Sequence, residues 1–223
     1  MTVKAVILDA FGTILSSQAS VQPYRLLFKE GLRQGRRPTP NDARLVMTLD
    51  CGLEGAAEHL GIHMSHGRLA EIQAVLDTDL ASMEPFADAL AGIELLQKHS
   101  VAIAVCSNLA QPYGAVVSSL FPNLDVYAYS YQLGILKPEL QMYKWTLDQL
   151  RAIPSGAFGS GEVVHMIGDS IRCDRDGPTA VGITGHHLDR RGGGQMTSLL
   201  QFAQLVTETN SGACHCLSPE RKA

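Results

Sequence analysis

Residues 3–14 read VKAVILDAFGTI, and the interpretation of the whole chain turns on them. The nearly unbroken apolar run from Val3 to Leu8 is the pattern of a short strand buried on both faces, because successive side chains point to opposite sides of a sheet. Gly12 and Thr13 close the run as turn residues. Asp9 stands where strand becomes turn. In open α/β sheets ligands bind beyond the carboxyl ends of the strands, so a carboxylate there faces a crevice rather than the core. On this segment alone two readings of Asp9 stand: a covalent nucleophile, or a carboxylate that caps a turn.

Three later segments bear on that choice. VAIAVCSN, residues 101–108, is a second apolar run, and it ends in Ser107 and Asn108, a hydroxyl and an amide able to donate to an anionic oxygen. GILKPELQMYKWTLDQL, residues 134–150, sets Lys137 directly before Pro138. Proline is favoured at the first position of a helix, so this spacing predicts a helix start with a cation able to reach an anion held over the sheet. EVVHMIGDSIRCDRDGPTAVG, residues 162–182, carries a strand over 163–167 that ends in Gly168 and Asp169, with further carboxylates at Asp174 and Asp176. Hard oxygen ligands beside a nucleophilic carboxylate point to Mg²⁺, which takes one or two carboxylates and keeps several waters.

In this order, strand-end Asp, Ser-Asn, Lys-Pro and Gly-Asp with a downstream Asp, the segments resemble the haloacid dehalogenase-like hydrolase superfamily, and within it the subfamily with a helical cap inserted after the first motif. The resemblance runs from the first strand to about Val206, and SYQLGILKPELQMY and GDSIRCDRDGPTAVG agree with it between the motifs. It implies an α/β fold with a doubly wound parallel sheet. It divides the chain into a Rossmann-like core over 1–15 and 86–207, a cap over 16–85 and a flexible tail over 208–223. It implies Asp9, Ser107, Asn108 and Lys137 as catalytic residues, with Phe11, Gly12 and Thr13 joining the last three in holding substrate. Mg²⁺ would be held by Asp9, Asp169, Asp174 and, through its backbone carbonyl, Phe11.

At one position the chain departs from the family's phosphatases, which carry a second Asp two residues after the nucleophile to protonate the leaving oxygen. Here that residue is Phe11, which cannot do so. Dehalogenases of the superfamily also place an aromatic residue there, but those resembling this chain replace the Gly-Asp pair by small polar residues and need no metal. Asp169 and Asp174 are both retained here. The expected activity is therefore a Mg²⁺-dependent phosphatase acting on a small phosphorylated metabolite through an aspartyl-phosphate. A 2-haloacid dehalogenase using Asp9 and a weakly active member that binds a ligand or partner are the alternatives.

The rest of the chain bounds these expectations. Its 223 residues, 45% hydrophobic and 18% charged, suit a folded domain with a smaller second one. A net charge of −4 offers no basic footprint for nucleic acid. No run approaches the ~20 apolar residues of a membrane helix, and the N-terminal run ends at Asp9 rather than at a cleavage site, so a cytoplasmic protein is expected. The five cysteines, Cys51, Cys106, Cys173, Cys214 and Cys216, form no disulfide framework. Cys106 and Cys173 read as small packing residues. Cys214, His215 and Cys216 could grip a soft metal, but their polar surroundings read as a flexible tail.

Strand patterns over 3–8, 101–106, 126–130, 163–167 and 183–188 alternate with helical ones over 86–98, 111–120, 139–151, 174–181 and 196–206. Between Leu15 and Pro85 the pattern shows no strand; helices are expected over Tyr24 to Gln34, Pro40 to Leu49, Leu53 to Leu60 and His66 to Ala81. That block reads as a lid with hinges near Ser16 and Met83. Within it His59, His63 and His66 are candidates to replace the missing acid, or solvated residues. Arg33, Arg36 and Arg37 are candidates to hold an anion, or a solvated cluster.

Overall fold

A computed structural model describes residues 2–153, 162–194 and 196–215. Its centre is a parallel sheet of β1 (Thr2–Leu8), β4 (Ala102–Ser107), β5 (Val126–Tyr129), β6 (Glu162–Gly168) and β7 (Thr184–His187), in the order β5-β4-β1-β6-β7. The chain walks outward from β1 through β4 to β5, then returns to lay β6 and β7 on the other side of β1. Such a reversal leaves a crevice at the carboxyl ends of the strands beside it. Leu8 is in register with Ile167, so the residues that follow β1 and β6 emerge together.

Alternation along the strands feeds two cores. Val3, Val6 and Leu8 pack with Leu96 of α5 (Ala87–Lys98), Val117 of α6 (Gln111–Leu120) and Phe202 of α9 (Leu199–His215). Ala5, Ile7, Ala104 and Cys106 pack on the other face against Met142, Tyr143 and Leu147 of α8 (Leu140–Arg151). The insertion has its own core. Leu27, Val46, Leu53, Ile72 and Leu76 bring together α1 (Pro23–Arg33), α2 (Pro40–Thr48), α3 (Leu53–His59) and α4 (His66–Ala81).

The expected alternation of strands and helices is present, with differences that have local causes. The two crossings into the insertion are paired strands, β2 (Leu15–Ser17) and β3 (Met83–Pro85), in an antiparallel ribbon with Ser16 opposite Glu84. Three residues are too few to display a period-two pattern. A short helix, α7 (Ser130–Leu133), follows β5 and ends at Gly134. Pro138 does not open α8, which starts two residues later at Leu140; it stands in a loop behind a cis peptide bond to Lys137. The helix expected over 174–181 is instead a wide π turn over Ile171–Asp176 followed by a 3-10 turn over Gly177–Val181. Ser170 Oγ accepts from the Cys173 N–H at 3.3 Å at its start. Nor is 208–215 a loose tail: α9 runs on to His215, and the Asn210 amide accepts from Val3 N–H at 2.7 Å and donates to the Val3 carbonyl at 2.9 Å. The side chains of Cys214 and His215, and all of Cys216, lie outside the described residues, so the proposed metal grip does too. No described helix is long and apolar enough to cross a membrane.

On the sheet, His186 Nε2 lies 3.0 Å from His165 Nδ1, with the rings stacked and Phe202 packed edge-to-face with His186. Burial, with a contribution from His186, pushes His165 down to about 4, and burial lowers His186 as well. Both rings are therefore neutral in the fold at neutral pH, while in the unfolded chain they take up protons near pH ~6.5. The unfolded state binds more protons in between, so stability rises with pH across that window. Urea unfolding midpoints are expected to fall as pH drops from about 6.5 towards about 4, and His186→Phe should flatten that part of the profile.

Candidate active site

Three carboxylates and one ammonium meet at the carboxyl ends of β1 and β6. The Asp9 N–H donates to the Ile167 carbonyl at 3.0 Å, so strand pairing carries on to the residue that bears the carboxylate. Single carboxylate oxygens of Asp9, Asp169 and Asp174 lie within 4.8 Å of one another. Lys137 Nζ donates to Asp9 Oδ1 at 2.8 Å and to Asp174 Oδ1 at 2.6 Å. Lys137, Asp174 and Asp9 are buried, and Asp169 is open at the rim.

Two glycines permit this crowding. Gly12 has φ +72°, which favours a residue without a Cβ, and a Cβ there would run into the Asp169 carboxylate. A Cβ on Gly168 would strike the carboxylate of Asp174. The other Asp174 oxygen, Oδ2, accepts from the Ser170 N–H at 3.0 Å. Asp174 therefore has both oxygens engaged and shares the Lys137 ammonium with Asp9.

The charges respond to one another. Burial opposes protonation of Lys137, but the carboxylates of Asp9 and Asp174 outweigh it and hold its pKa well above the usual lysine value. Burial, aided by the charge of Asp9, raises Asp174 to about 6 against the pull of Lys137. Asp169, although open to solvent on one side, is raised by the partial loss of water around its carboxylate and by the Asp9 charge. One ammonium does not neutralise three carboxylates, and the donor set is all hard oxygen. The arrangement fits a small divalent cation.

The other residues predicted for the site divide by their contacts. Asn108 sends its amide to the Lys137 backbone: Oδ1 accepts from Lys137 N–H at 2.8 Å and Nδ2 donates to the Lys137 carbonyl at 2.9 Å. It thus fixes the lysine loop and keeps one N–H to offer elsewhere. Ser107 is buried at the end of β4. In the turn, Gly12 N–H donates to the Leu15 carbonyl and Thr13 N–H to that of Ala10, while Thr13 itself is fully buried. These two shape the turn from within. Phe11 faces the insertion and meets Tyr113 edge-on, with ring centroids 5.6 Å apart.

Beyond Phe11 and Asn108 opens a cavity of about 500 Å³ between insertion and core. His59, His63, His66, Arg33, Arg36 and Arg37 are not on its wall. The three histidines are exposed, Arg33 pairs with Glu30, Arg36 chelates Asp42, and Arg37 is exposed. Helical spacing places a residue on a face but does not say which face looks at the crevice. Two charged residues that sequence reasoning passed over do matter here. Asp79 of α4 lies on the wall, and Arg190 holds the turn that follows Asp9: its guanidinium donates to the Gly12 carbonyl at 3.0 Å, the Thr13 carbonyl at 2.6 Å and Asp88 at 2.8 Å, and lies 3.8 Å from the Phe86 ring centroid. Insertion and core also meet directly, where Arg44 of α2 chelates Glu139 and Ser130 Oγ donates to the Met47 carbonyl.

Comparison with solved structures finds this architecture in enzymes of two chemistries. A HAD phosphatase from Thermococcus onnurineus matches with a TM-score of 0.58 at 18% identity, over 91% of this chain and 97% of that one. A 2-haloacid dehalogenase from Pseudomonas syringae pv. Tomato DC3000 matches at 0.60 and 16%, over 93% and 100%. An L-2-haloacid dehalogenase from Xanthobacter autotrophicus, with chloropropionic acid covalently bound, matches at 0.56 and 15%, over 92% and 99%. The chain thus has the haloacid dehalogenase-like fold. No protein-family model matches the sequence, and neither does any curated protein.

Arg190→Ala removes three charge-assisted donors from the turn and its neighbour, leaving the Gly12 and Thr13 carbonyls to water. The expected cost is about 1–3 kcal/mol in urea unfolding, with faster hydrogen exchange at the Gly12 and Thr13 amides than at the amides of β1.

Proposed function

We propose that the chain is a Mg²⁺-dependent phosphohydrolase that cleaves a small phosphorylated metabolite through an aspartyl-phosphate on Asp9. The observation that carries this reading is Asp169, a third carboxylate held against Asp9 through the glycine turn, where a single buried lysine leaves negative charge in surplus. A carbon-attacking carboxylate has no use for such a neighbour; a cation-assisted attack on phosphorus does.

Asp9, Asp169 and the Phe11 carbonyl would hold the cation, with Asp174 completing the cluster while it clamps Lys137. When bound, Mg²⁺ supplies Lewis-acid neutralisation of the phosphoryl oxygens. Lys137 pins one oxygen of Asp9 and leaves the other to attack. A bond forms from that oxygen to phosphorus as the bond to the leaving oxygen breaks, and the leaving oxygen departs with the electron pair. Ser107, the remaining Asn108 N–H and Lys137 stabilise the phosphoryl oxygens as their charge shifts. Water then cleaves the aspartyl-phosphate, releasing phosphate and restoring the Asp9 carboxylate.

A 2-haloacid dehalogenase is the second reading, and Phe11 favours it, because a halide leaves without a proton. The two separate cleanly. Turnover of phosphoesters and acyl phosphates should stop with chelator and return with Mg²⁺, whereas halide release from 2-haloacids that ignores chelator would select the dehalogenase. Asp9→Asn should abolish turnover under either reading, because the amide is a poor nucleophile.

Phe11 also sets an order among phosphorylated substrates. With no proton donor beside the leaving oxygen, acyl and aryl phosphates should exceed alkyl phosphates, and kcat/KM should fall steeply with leaving-group pKa. Phe11→Asp should flatten that slope by raising alkyl-phosphate turnover, by up to ~10²-fold.

A further inference from the structure

The cavity beyond Phe11 and Asn108 has an uneven lining. Phe11, Tyr24, Phe28 and Tyr113 bring aromatic rings to it, and Val46, Met47 and Leu109 bring aliphatic surface. Among the described residues of its wall the one basic side chain, Arg25, is solvent-exposed. The one acidic side chain among them, Asp79, is buried, at 6% exposure.

Asp79 is placed at a cost. It lies in the last turn of α4, where the helix carbonyls already gather negative charge and an anion is disfavoured. Its oxygens accept hydrogen bonds from Ser17 Oγ and from the Tyr113 hydroxyl, the latter at 2.8 Å. Burial and the Asp79 carboxylate raise the Tyr113 pKa, so that hydroxyl keeps its proton and donates. Among the described residues no ion pair includes Asp79. Ser17 lies in β2 and Tyr113 in α6, so Asp79 also ties α4 to its neighbours. An amide could make such a tie without burying an uncompensated charge.

A buried carboxylate without a counter-ion, at the wall of an aromatic cavity, is suited to an organic ammonium: the acid offers unused lone pairs and the ring faces offer cation–π attraction. We propose that this cavity binds an alkylammonium or arylalkylammonium group, and that the substrate is a phosphate ester or acyl phosphate carrying one. The substrate half rests on the phosphohydrolase reading; the ammonium site does not.

Two measurements test it and keep the readings apart. Calorimetric titration with phenethylammonium, which has no phosphate, should show binding to the native protein that Asp79→Asn weakens roughly tenfold or more, the worth of a charge-assisted contact. 2-Phenylethanol, of the same shape without the charge, should bind weakly to both. In the second arm, kcat/KM with Mg²⁺ is compared for 4-(aminomethyl)phenyl phosphate and 4-ethylphenyl phosphate. The native protein should prefer the ammonium compound by a similar factor, and Asp79→Asn should bring the ratio to about one. Equal binding of phenethylammonium and 2-phenylethanol by the native protein overturns the ammonium site whether or not the variant folds. Turnover of both esters with no preference overturns the substrate class and leaves the phosphohydrolase standing. Ammonium binding without turnover of either ester sinks the phosphohydrolase and leaves the ammonium site.

Discussion

The ammonium of Lys137, held between Asp9 and Asp174, is the contact on which the site depends. Three carboxylates at the ends of two adjacent strands would repel one another and drive protons onto themselves if nothing positive lay among them. The lysine is taken out of water to do this, and desolvation of a charge is tolerated only where partners replace the lost hydration. Much of the surrounding architecture serves that end. Asn108 grips the lysine backbone from just beyond β4, Ser170 holds the far oxygen of Asp174, and Gly168 gives Asp174 room. Removing the lysine alone would leave buried carboxylates unpaired, a far larger disturbance than the loss of one surface charge.

The contact also links the charged cluster to the insertion. Glu139, two residues beyond Lys137, accepts from the Leu136 N–H and is chelated by Arg44 of the insertion. The loop that carries the lysine is thus held by the core through Asn108 and by the insertion through Glu139. A displacement of α2 would be felt two residues from the ammonium. Arg44 and Glu139 are both partly solvated, so the outer tie is the weaker one.

What could be read from the sequence, and what could not, follows from the range of the interactions. Asp9, Asp169 and Lys137 were legible because each ends an apolar run or precedes a proline, signals confined to a few neighbouring residues. Their convergence follows from sheet topology, which alternating strands and helices imply. Arg190 was not legible, because its partners are main-chain carbonyls of Gly12 and Thr13 at the other end of the chain. Asp79 looked like any polar residue on an amphipathic helix; only the tertiary fold turns it inward. The histidines of the insertion had the right chemistry and the wrong face. The run past Val206 looked like a tail because its surroundings are polar, and its helix is held to β1 by the Asn210 amide.

The ribbon of β2 and β3 brings the two ends of the insertion side by side, with Leu15 opposite Pro85. To the sheet, everything between them amounts to one elongated hairpin loop: the central strand order would be the same with four helices there, with two, or with a bare turn. Because closing a longer loop adds only logarithmically to the entropic cost, the ribbon tolerates wide variation in what it carries. The consequence is a division along the chain: the charged cluster resides in a frame that cannot change without losing the charge balance of its strand ends, while the insertion can be exchanged without altering the strand order of that frame, giving up only ties such as that of Arg44 to Glu139.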